Sequence, residues 1–364
     1  MLYLKLHHIY LYEFNLRNFS IFPDFSNPIL SDITLNIADG EIFGIVGPSG
    51  CGKTVLLKTI AGLIRPQSGE IYIKDKEISN LPPHKRSISM VFQSFVLYPN
   101  MTGSGNINFP VQLHIAHDGK NFKQKISPKE IAEKLHLDEE KLLKRYPRYT
   151  SLGERQRIAI GKALASSPDL LLLDEPLSNV EDSLRNEIRH QLRKFIKESG
   201  ITAIYVTHNQ IEIGEIADNI AVMQKGKIEQ VGTYEELYNN PKTLFVSTLI
   251  GEKPANVLKA EKVYMLTDRK INYTLTIRPG ECSLNKIENS ICISGKISFI
   301  ESFIQENKKI AFIEVDGELF GVETPLDYPL EEKPNISIYI PLSKAKFFDE
   351  KENPDSPPRV YNLW

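Results

Sequence analysis

Gly47-Pro48-Ser49-Gly50-Cys51-Gly52-Lys53-Thr54 follows the pattern G-x-x-x-x-G-K-[ST]. Its glycines let consecutive backbone N–H groups turn inward onto anionic oxygens. The lysine ammonium is then placed to reach β- and γ-phosphates, and the Thr54 hydroxyl offers a hard oxygen to Mg²⁺. The pattern carries this meaning only between a buried strand and a helix, and the flanking residues supply both. Glu41–Val46 is mostly apolar, as expected of a strand covered on two faces. Lys53–Leu63 has helical periodicity and is stopped by Gly62 and Pro66, so the positive end of a helix should face the phosphates.

A second group of candidates lies downstream. Leu170-Leu171-Leu172-Leu173 is an apolar strand that runs into Asp174-Glu175-Pro176. Ligands collect at strand ends in open α/β sheets. Asp174 is placed to support Mg²⁺ through water, and Glu175, one residue beyond the strand, can point at a water beside the γ-phosphate as general base or water-orienting group. A solvated acidic turn is the commoner meaning of two such acids alone; the phosphate cradle upstream favours catalysis. His208 follows the β-branched run Thr202–Val206, and a neutral imidazole there could hydrogen-bond the γ-phosphate or the attacking water. Gln93 follows the strand-like Ser87–Phe92; its amide could ligate Mg²⁺ weakly and release it, as a sensor would. From the residues alone, a structural role is an equal alternative for both His208 and Gln93.

The elements that must position these groups fall into three textures. From about Asn18 to Phe92, short β-type runs alternate with turns and one helix. From about Ser94 to Tyr149 the chain is polar and helical, with Ser127-Pro128-Lys129-Glu130 reading as N-cap, first-position proline and acidic first turn. From Ser151 to Glu229 strand and helix alternate again: Leu170–Leu173, helix Ser183–Lys197, Thr202–Val206 and Ile220–Met223. The fold class expected is α/β, a P-loop nucleotide-binding domain with a mainly parallel sheet over about 1–250 and a helical insertion at about 94–167. After Gly251 the runs Tyr273–Ile277, Ile291–Ser294, Ile310–Val315 and Ile336–Ile340 are separated by turn residues, which predicts a small β-barrel or sandwich domain over 251–364 ending in an extended tail. The aromatic-rich Met1–Phe25 is broken by charges and reads as one or two strands.

Bulk composition narrows the function. The 364 residues carry a net charge of −2, with no basic excess of the kind that marks a nucleic-acid binder. Three cysteines without CxxC spacing fit a reducing cytosol. No stretch approaches the ~20 apolar residues of a membrane span, so work at a membrane would require docking on a partner.

Taken in order, the Lys53 cradle, Val91-Phe92-Gln93, Ser151-Leu152-Gly153-Glu154-Arg155-Gln156-Arg157, Asp174-Glu175-Pro176, Ser178-Asn179-Val180-Glu181 and Val206-Thr207-His208 resemble the ABC-transporter ATPases from about Asn18 to Gly251. The resemblance implies an ATP- and Mg²⁺-dependent ATPase that works as a head-to-tail dimer. Each ATP would lie between one subunit's cradle and the other's signature segment, here Ser151 to Gly153. It implies Gln93 as coupling glutamine, Glu175 as catalytic base, His208 as switch histidine, and Phe22 as the aromatic stacking on adenine, with Phe25 the competing candidate. Phe92-Gln93 to Asn106-Ile107, Gly226–Gly232, Tyr238-Asn239-Asn240-Pro241 and Ile277-Arg278-Pro279-Gly280 resemble the carbohydrate-importer branch, whose C-terminal domain is an OB-like barrel contributing to dimer contacts and regulation. The implied partners are transmembrane permease subunits, an extracellular solute-binding protein indirectly, and a second ATPase subunit, identical or not, at the cytoplasmic face of the membrane.

The signature departs from the family's Leu-Ser-Gly-Gly-Gln. Leu152 stands where a glycine allows close approach to phosphate, Glu154 puts a carboxylate where a neutral amide is usual, near the partner's nucleotide, and Glu181 replaces an expected Asp. Three functions compete on these grounds: a transport motor, a soluble ATPase acting on DNA or ribosomes, and a regulatory subunit that binds ATP without turnover. The near-neutral charge disfavours the second, and Lys53, Asp174 and Glu175 oppose the third.

Overall fold

The computed structural model describes residues 2–17, 20–118, 127–138, 142–251, 253–259, 273–330, 335–349 and 360–361. The chain divides into two compact units, Met1–Tyr234 and Glu235–Trp364. The expected texture change at Gly251 lies further along the chain.

The first unit begins with two long antiparallel strands, β1 (Leu2–Arg17) and β2 (Ser20–Ala38). Strand β3 (Ile42–Val46) leads through the glycine-rich loop into α1 (Lys53–Ile60), followed by β4 (Ser68–Ile73), β5 (Lys76–Glu77) and β6 (Ile88–Val91). Three helices come next: α2 (Gly103–Asp118), α3 (Pro128–Lys134) and α4 (Leu152–Ala165). The unit closes with β7 (Leu170–Asp174), α5 (Asp182–Ser199), β8 (Thr202–Thr207), α6 (Gln210–Ile216), β9 (Asn219–Gln224) and β10 (Lys227–Gly232).

Six of these strands form the central sheet in the order β10-β9-β3-β8-β7-β6, parallel except for the edge strand β10. The expected mainly parallel sheet is therefore present. Strands β3, β7 and β8 are buried along their whole length, which is why their sequences are continuous apolar runs. A second, antiparallel sheet has the order β2-β1-β4-β5. Its strands alternate instead: Leu4, Leu6, Leu35 and Ile37 are buried, while Lys5 and Asn36 are exposed. Those buried residues share one core with Leu56, Leu57 and Ile60 of α1 and Phe43 and Ile45 of β3. At about 1.5–3 kcal/mol for each buried Leu or Ile side chain, this core fixes α1 between the two sheets.

Helix α1 ends earlier than the periodicity suggested. Gly62 takes φ +79°, and Leu63 N–H turns back to Lys58 O at 2.9 Å, closing the helix. Ser127 caps α3 as its sequence implied, accepting from Glu130 N–H at 3.1 Å with Pro128 in the first turn. The glycines at 103 and 105 begin α2; a Cβ on Gly103 would lie 3.2 Å from Leu143 Cα, so close backbone approach accounts for that one.

The second unit holds α7 (Tyr234–Asn239, from the last residue of the first unit), α8 (Leu244–Leu249), β11 (Asn256–Leu258), β12 (Tyr273–Ile277), β13 (Ser290–Phe303), β14 (Lys308–Val315), β15 (Glu318–Pro325), β16 (Ile336–Pro341), β17 (Lys346–Asp349) and β18 (Val360–Tyr361). They make two four-stranded antiparallel sheets, β11-β12-β17-β18 and β15-β14-β13-β16, around one apolar core, a strand-rich unit of the expected barrel-like kind. Strand β13 is much longer than the Ile291–Ser294 run that announced it. Its first half pairs with β16 and its second with β14, and the partner changes at Gly295, where a Cβ would lie 2.2 Å from Glu314 O. Buried Arg278 donates to Ser247 O at 2.8 Å and Ile250 O at 2.5 Å, and stacks 4.2 Å from the Tyr238 ring centroid. That tie explains the Ile277–Gly280 segment as a fastening of α7 and α8 to the end of β12. Most of the tail, and the region 119–126 inside the helical insertion, lie outside the described residues. No helix among the described residues is long and apolar enough to cross a membrane.

Candidate active site

The ends of β3, β6, β7 and β8 bring the candidate residues together at one edge of the central sheet. The loop after β3 holds the cradle. Gly50 and Gly52 take φ +79° and +109°, the left-handed region that opens backbone N–H groups to a common centre. A Cβ on Gly50 would meet nothing within 4 Å, so the loop's outer edge is open, whereas Lys53 is buried beneath it. The Lys53 ammonium donates to Gly47 O at 2.8 Å and Pro48 O at 2.9 Å, which turns the loop around its own cation. Cys51 is buried under the loop, and burial pushes its thiol upward, so it packs as a neutral side chain.

Thr54 in the first turn of α1 donates through its hydroxyl to Asp174 Oδ1 at 3.1 Å. Asp174 is buried; burial raises its carboxyl above the usual range, and the Thr54 hydrogen bond only partly opposes this. Among the described residues no group of three or more His, Cys, Asp and Glu could hold a metal. Thr54 and Asp174 together offer a hard divalent cation a hydroxyl and a carboxylate, and leave phosphate oxygens, water and the Gln93 amide to complete the shell. That incomplete oxygen set fits Mg²⁺, which is usually held in this shared way.

Glu175 leaves β7 with φ +49°, a conformation non-glycine residues rarely adopt. Its N–H donates to Val206 O of β8 at 2.9 Å. Its carboxylate lies between two groups from other strand ends. Gln93 Nε2 donates to Oε2 at 3.1 Å, and His208 Nδ1 lies 2.9 Å from Oε1. Glu175 is 17% exposed and His208 60%, so the pair opens to solvent on the histidine side. Asn209 caps α6, accepting from Ile211 and Glu212 N–H, and so fixes where β8 delivers His208.

Ser151 and Gly153 begin α4 and do not join this cluster by a direct hydrogen bond. Ser151 is the helix N-cap. Its hydroxyl accepts from Glu154 N–H at 3.2 Å, while Glu154 Oε2 accepts from Ser151 N–H at 2.7 Å. This capping box gives the Glu154 carboxylate a role within its own helix, one of its oxygens accepting from Ser151 N–H, beside the expected position near a partner's nucleotide. The S-x-x-E spacing was the signal that could have found it. Leu152, by contrast, is 51% exposed, as a side chain at a docking face would be. Gln156, quoted in the motif but given no role there, is buried and reaches back to the Glu175 turn. Phe22 sits on β2 opposite Asn15, and the side chains of both Phe22 and Phe25 lie outside the described part of the structure.

Residues 30–178, which contain the cradle, Gln93, the signature segment and the two acids, match the family described as ABC transporter. The trehalose/maltose import ATP-binding protein MalK of Thermococcus litoralis is 45% identical over 277 residues, spanning 74% of this chain and 70% of that protein. The chain belongs to the ABC transporter family. It is an ATPase subunit that energises import. The sn-glycerol-3-phosphate import ATP-binding protein UgpC of Vibrio cholerae is 34% identical over 349 residues, 90% of this chain and 91% of that one. The spermidine/putrescine import ATP-binding protein PotA of Bacillus cereus is 39% identical over 273 residues, 75% and 78% of the two chains. Among solved structures, a dimeric ATP-binding cassette in a post-hydrolysis state with ADP and Pi superposes with a TM-score of 0.54 at 28% identity, covering 63% of this chain and 98% of that one.

Proposed function

We propose that this subunit hydrolyses Mg·ATP with Glu175 as general base and thereby drives a separate membrane permease for a sugar or another small solute. The observation that carries the reading is the convergence of Gln93 and His208 on the two oxygens of Glu175, above the cradle of Lys53, Thr54 and Asp174. Lys53 would exchange its bonds to Gly47 O and Pro48 O for phosphate oxygens. Thr54 and Asp174 would hold Mg²⁺, which supplies charge neutralisation on the phosphates when bound. Glu175 would take the proton of the attacking water. His208 would hold that water or the γ-phosphate, and Gln93 would link the metal side of the site to its own segment. Phe22 is the proposed adenine platform.

Ser151 and Gly153 would serve the nucleotide of a second subunit in a head-to-tail dimer, a reading supported by the dimeric state of the related cassette. With one oxygen of the Glu154 carboxylate engaged in its own helix cap, Leu152 is the departure that most favours a non-identical partner. The same reading places the subunit at the cytoplasmic face of the membrane, bound to the permease. A sugar is favoured by the trehalose/maltose name of the 45%-identical relative, while glycerol phosphate and polyamines appear among the others.

The test is Glu175→Gln. The amide keeps the shape and both neighbours but cannot take a proton, so turnover should fall by about 10²–10⁴-fold with Mg·ATP binding retained. Single-turnover hydrolysis equal to wild type would remove Glu175 from the reaction.

A further inference from the structure

The side chain of Gln156 is 1% exposed and uses both ends of its amide on one turn. Its Nε2 donates to Glu175 O at 3.0 Å, and its Oε1 accepts from Asn179 N–H at 3.2 Å. The turn between those contacts is Glu175 to Asn179, and it holds itself as well: Ser178 donates to Glu175 O through its hydroxyl at 3.0 Å and through its N–H at 3.3 Å. Glu175 is thereby pinned on both sides of its Cα. Its N–H is held by β8 and its carbonyl by α4, and between them φ stays at +49°. Such a conformation persists only where surrounding bonds over-determine it.

The same turn supports the signature end of α4. A Cβ on Gly153 would lie 3.3 Å from Asn179 O and 3.6 Å from Val180 Cα, so the first turn of α4 rests directly on the residues that Gln156 holds. A shift of that first turn therefore moves Asn179, and through one amide it moves the carbonyl of Glu175.

We infer that Gln156 is a positioning residue: it sets the direction of the Glu175 side chain and links it mechanically to the segment Ser151–Gly153. The inference rests on Glu175 acting as base and on Ser151–Gly153 meeting a second subunit's nucleotide. On that basis Gln156 joins the base of one ATP site to the signature of the other within one chain. Only a neutral group that both donates and accepts fits the geometry. A carboxylate would set a negative oxygen against Glu175 O, and a thioether would leave Asn179 N–H unpartnered and Glu175 O held by Ser178 alone.

Three variants of the full chain test this, each checked by circular dichroism and compared with wild type in single-turnover hydrolysis and in Mg·ATP binding. Gln156→Met should lower the hydrolysis rate by about 10- to 100-fold, the cost of a base displaced by a fraction of an ångström to an ångström. Nucleotide affinity should stay within about twofold, because the cradle makes no contact with the amide. Gln156→Glu should be as slow as Gln156→Met at pH 8 and should recover relative to wild type as the pH falls toward 5.5. Protonation of the introduced carboxyl restores one donor and one acceptor. Glu175→Gln is the control for the underlying reading. If it hydrolyses normally, the base assignment fails; if it is dead while Gln156→Met turns over normally, only the positioning role fails. Parallel loss of rate, nucleotide affinity and thermal stability in Gln156→Met, with no recovery of Gln156→Glu at low pH, would also overturn the inference by reducing Gln156 to packing.

Discussion

Replacing Arg86 should unfasten the helix that carries the phosphate cradle. Arg86 is 3% exposed and its guanidinium serves four carbonyls: Leu81 O at 2.7 Å, Thr59 O at 3.1 Å, Ile60 O at 2.7 Å and Ser79 O at 2.9 Å. Thr59 and Ile60 are the last residues of α1, so the cation also meets the negative end of that helix. Gly62 leaves room for it; a Cβ there would lie 2.5 Å from Arg86 Nε. In Arg86→Met all four carbonyls lose a donor, at about 1 kcal/mol each. Burial already pulls the guanidinium's pKa down, a sign that its desolvation is unfavourable, and removing the charge returns about 1–2 kcal/mol of that. The net loss is about 2–3 kcal/mol. At about 2–4 °C per kcal/mol for a unit of this size, the melting transition should fall by about 5–10 °C. The assay is a thermal melt followed by circular dichroism, with Arg86→Lys as an intermediate because an ammonium cannot span four acceptors at once. Affinity for Mg·ATP below the transition should change by less than about threefold, since the fastening is at the far end of α1 from Lys53. A melt within about 1 °C of wild type would refute the reasoning, as would a loss of nucleotide affinity without a loss of stability.

Lys53→Ala should weaken Mg·ATP binding at least about tenfold, because a charge-assisted contact to phosphate disappears; titration with a fluorescent ATP analogue measures it. Glu154→Ala should cost about 1 kcal/mol of stability through loss of the capping box, whereas Glu154→Gln should melt close to wild type, and equal melts for the two would refute the box. Glu212 is buried under the Tyr205 hydroxyl, and burial raises its carboxyl despite that hydrogen bond and nearby Arg189 and Arg185. A carboxyl raised in the fold opposes folding above its folded pKa, and the penalty disappears as pH falls through that value toward the unfolded one. Glu212→Gln should therefore raise the melting temperature at pH 7, with the gain shrinking as pH falls through the raised folded pKa toward the ordinary carboxyl range. A gain independent of pH, or a loss at pH 7, would contradict the sign.

Much of the catalytic unit could be read in advance because its strands are buried on both faces. Leu170–Leu173 and Thr202–Val206 have no polar interruption, so each run and the polar residue ending it were visible together. Strand β13 was cut short because Gly295, Lys296 and Glu301 interrupt a strand that changes partners midway and is largely exposed along its second half. The first β-strand pair was placed only loosely, since the expected domain resemblance began near Asn18, yet Leu4 and Leu6 belong to the same core as α1. At the site, spacing located Gln93, Glu175 and His208 but could not show that the first and last converge on the second. That meeting depends on the spatial strand order, in which β7 lies between β6 and β8. Gln156 was visible as part of the signature segment but without a role, because a buried amide bonded to backbone leaves the same trace in a sequence as an exposed one.

The first glycine of the cradle has a different status from those that follow it. A Cβ on Gly47 would lie 2.2 Å from Met223 O and 2.8 Å from Cys51 Sγ, so strand β9 and the loop's own underside exclude any side chain there. Gly50 has open space and only its φ to restrict it. In a saturation-mutagenesis library the two positions should separate by phenotype. Substitutions at Gly47 should deplete the protein itself, lowering cellular abundance before any ATP is met, while those at Gly50 should leave normal amounts of a chain that binds nucleotide poorly. Drift in the cradle is then open at its rim and closed at its root, where the constraint is set by the neighbouring strand and not by the phosphate.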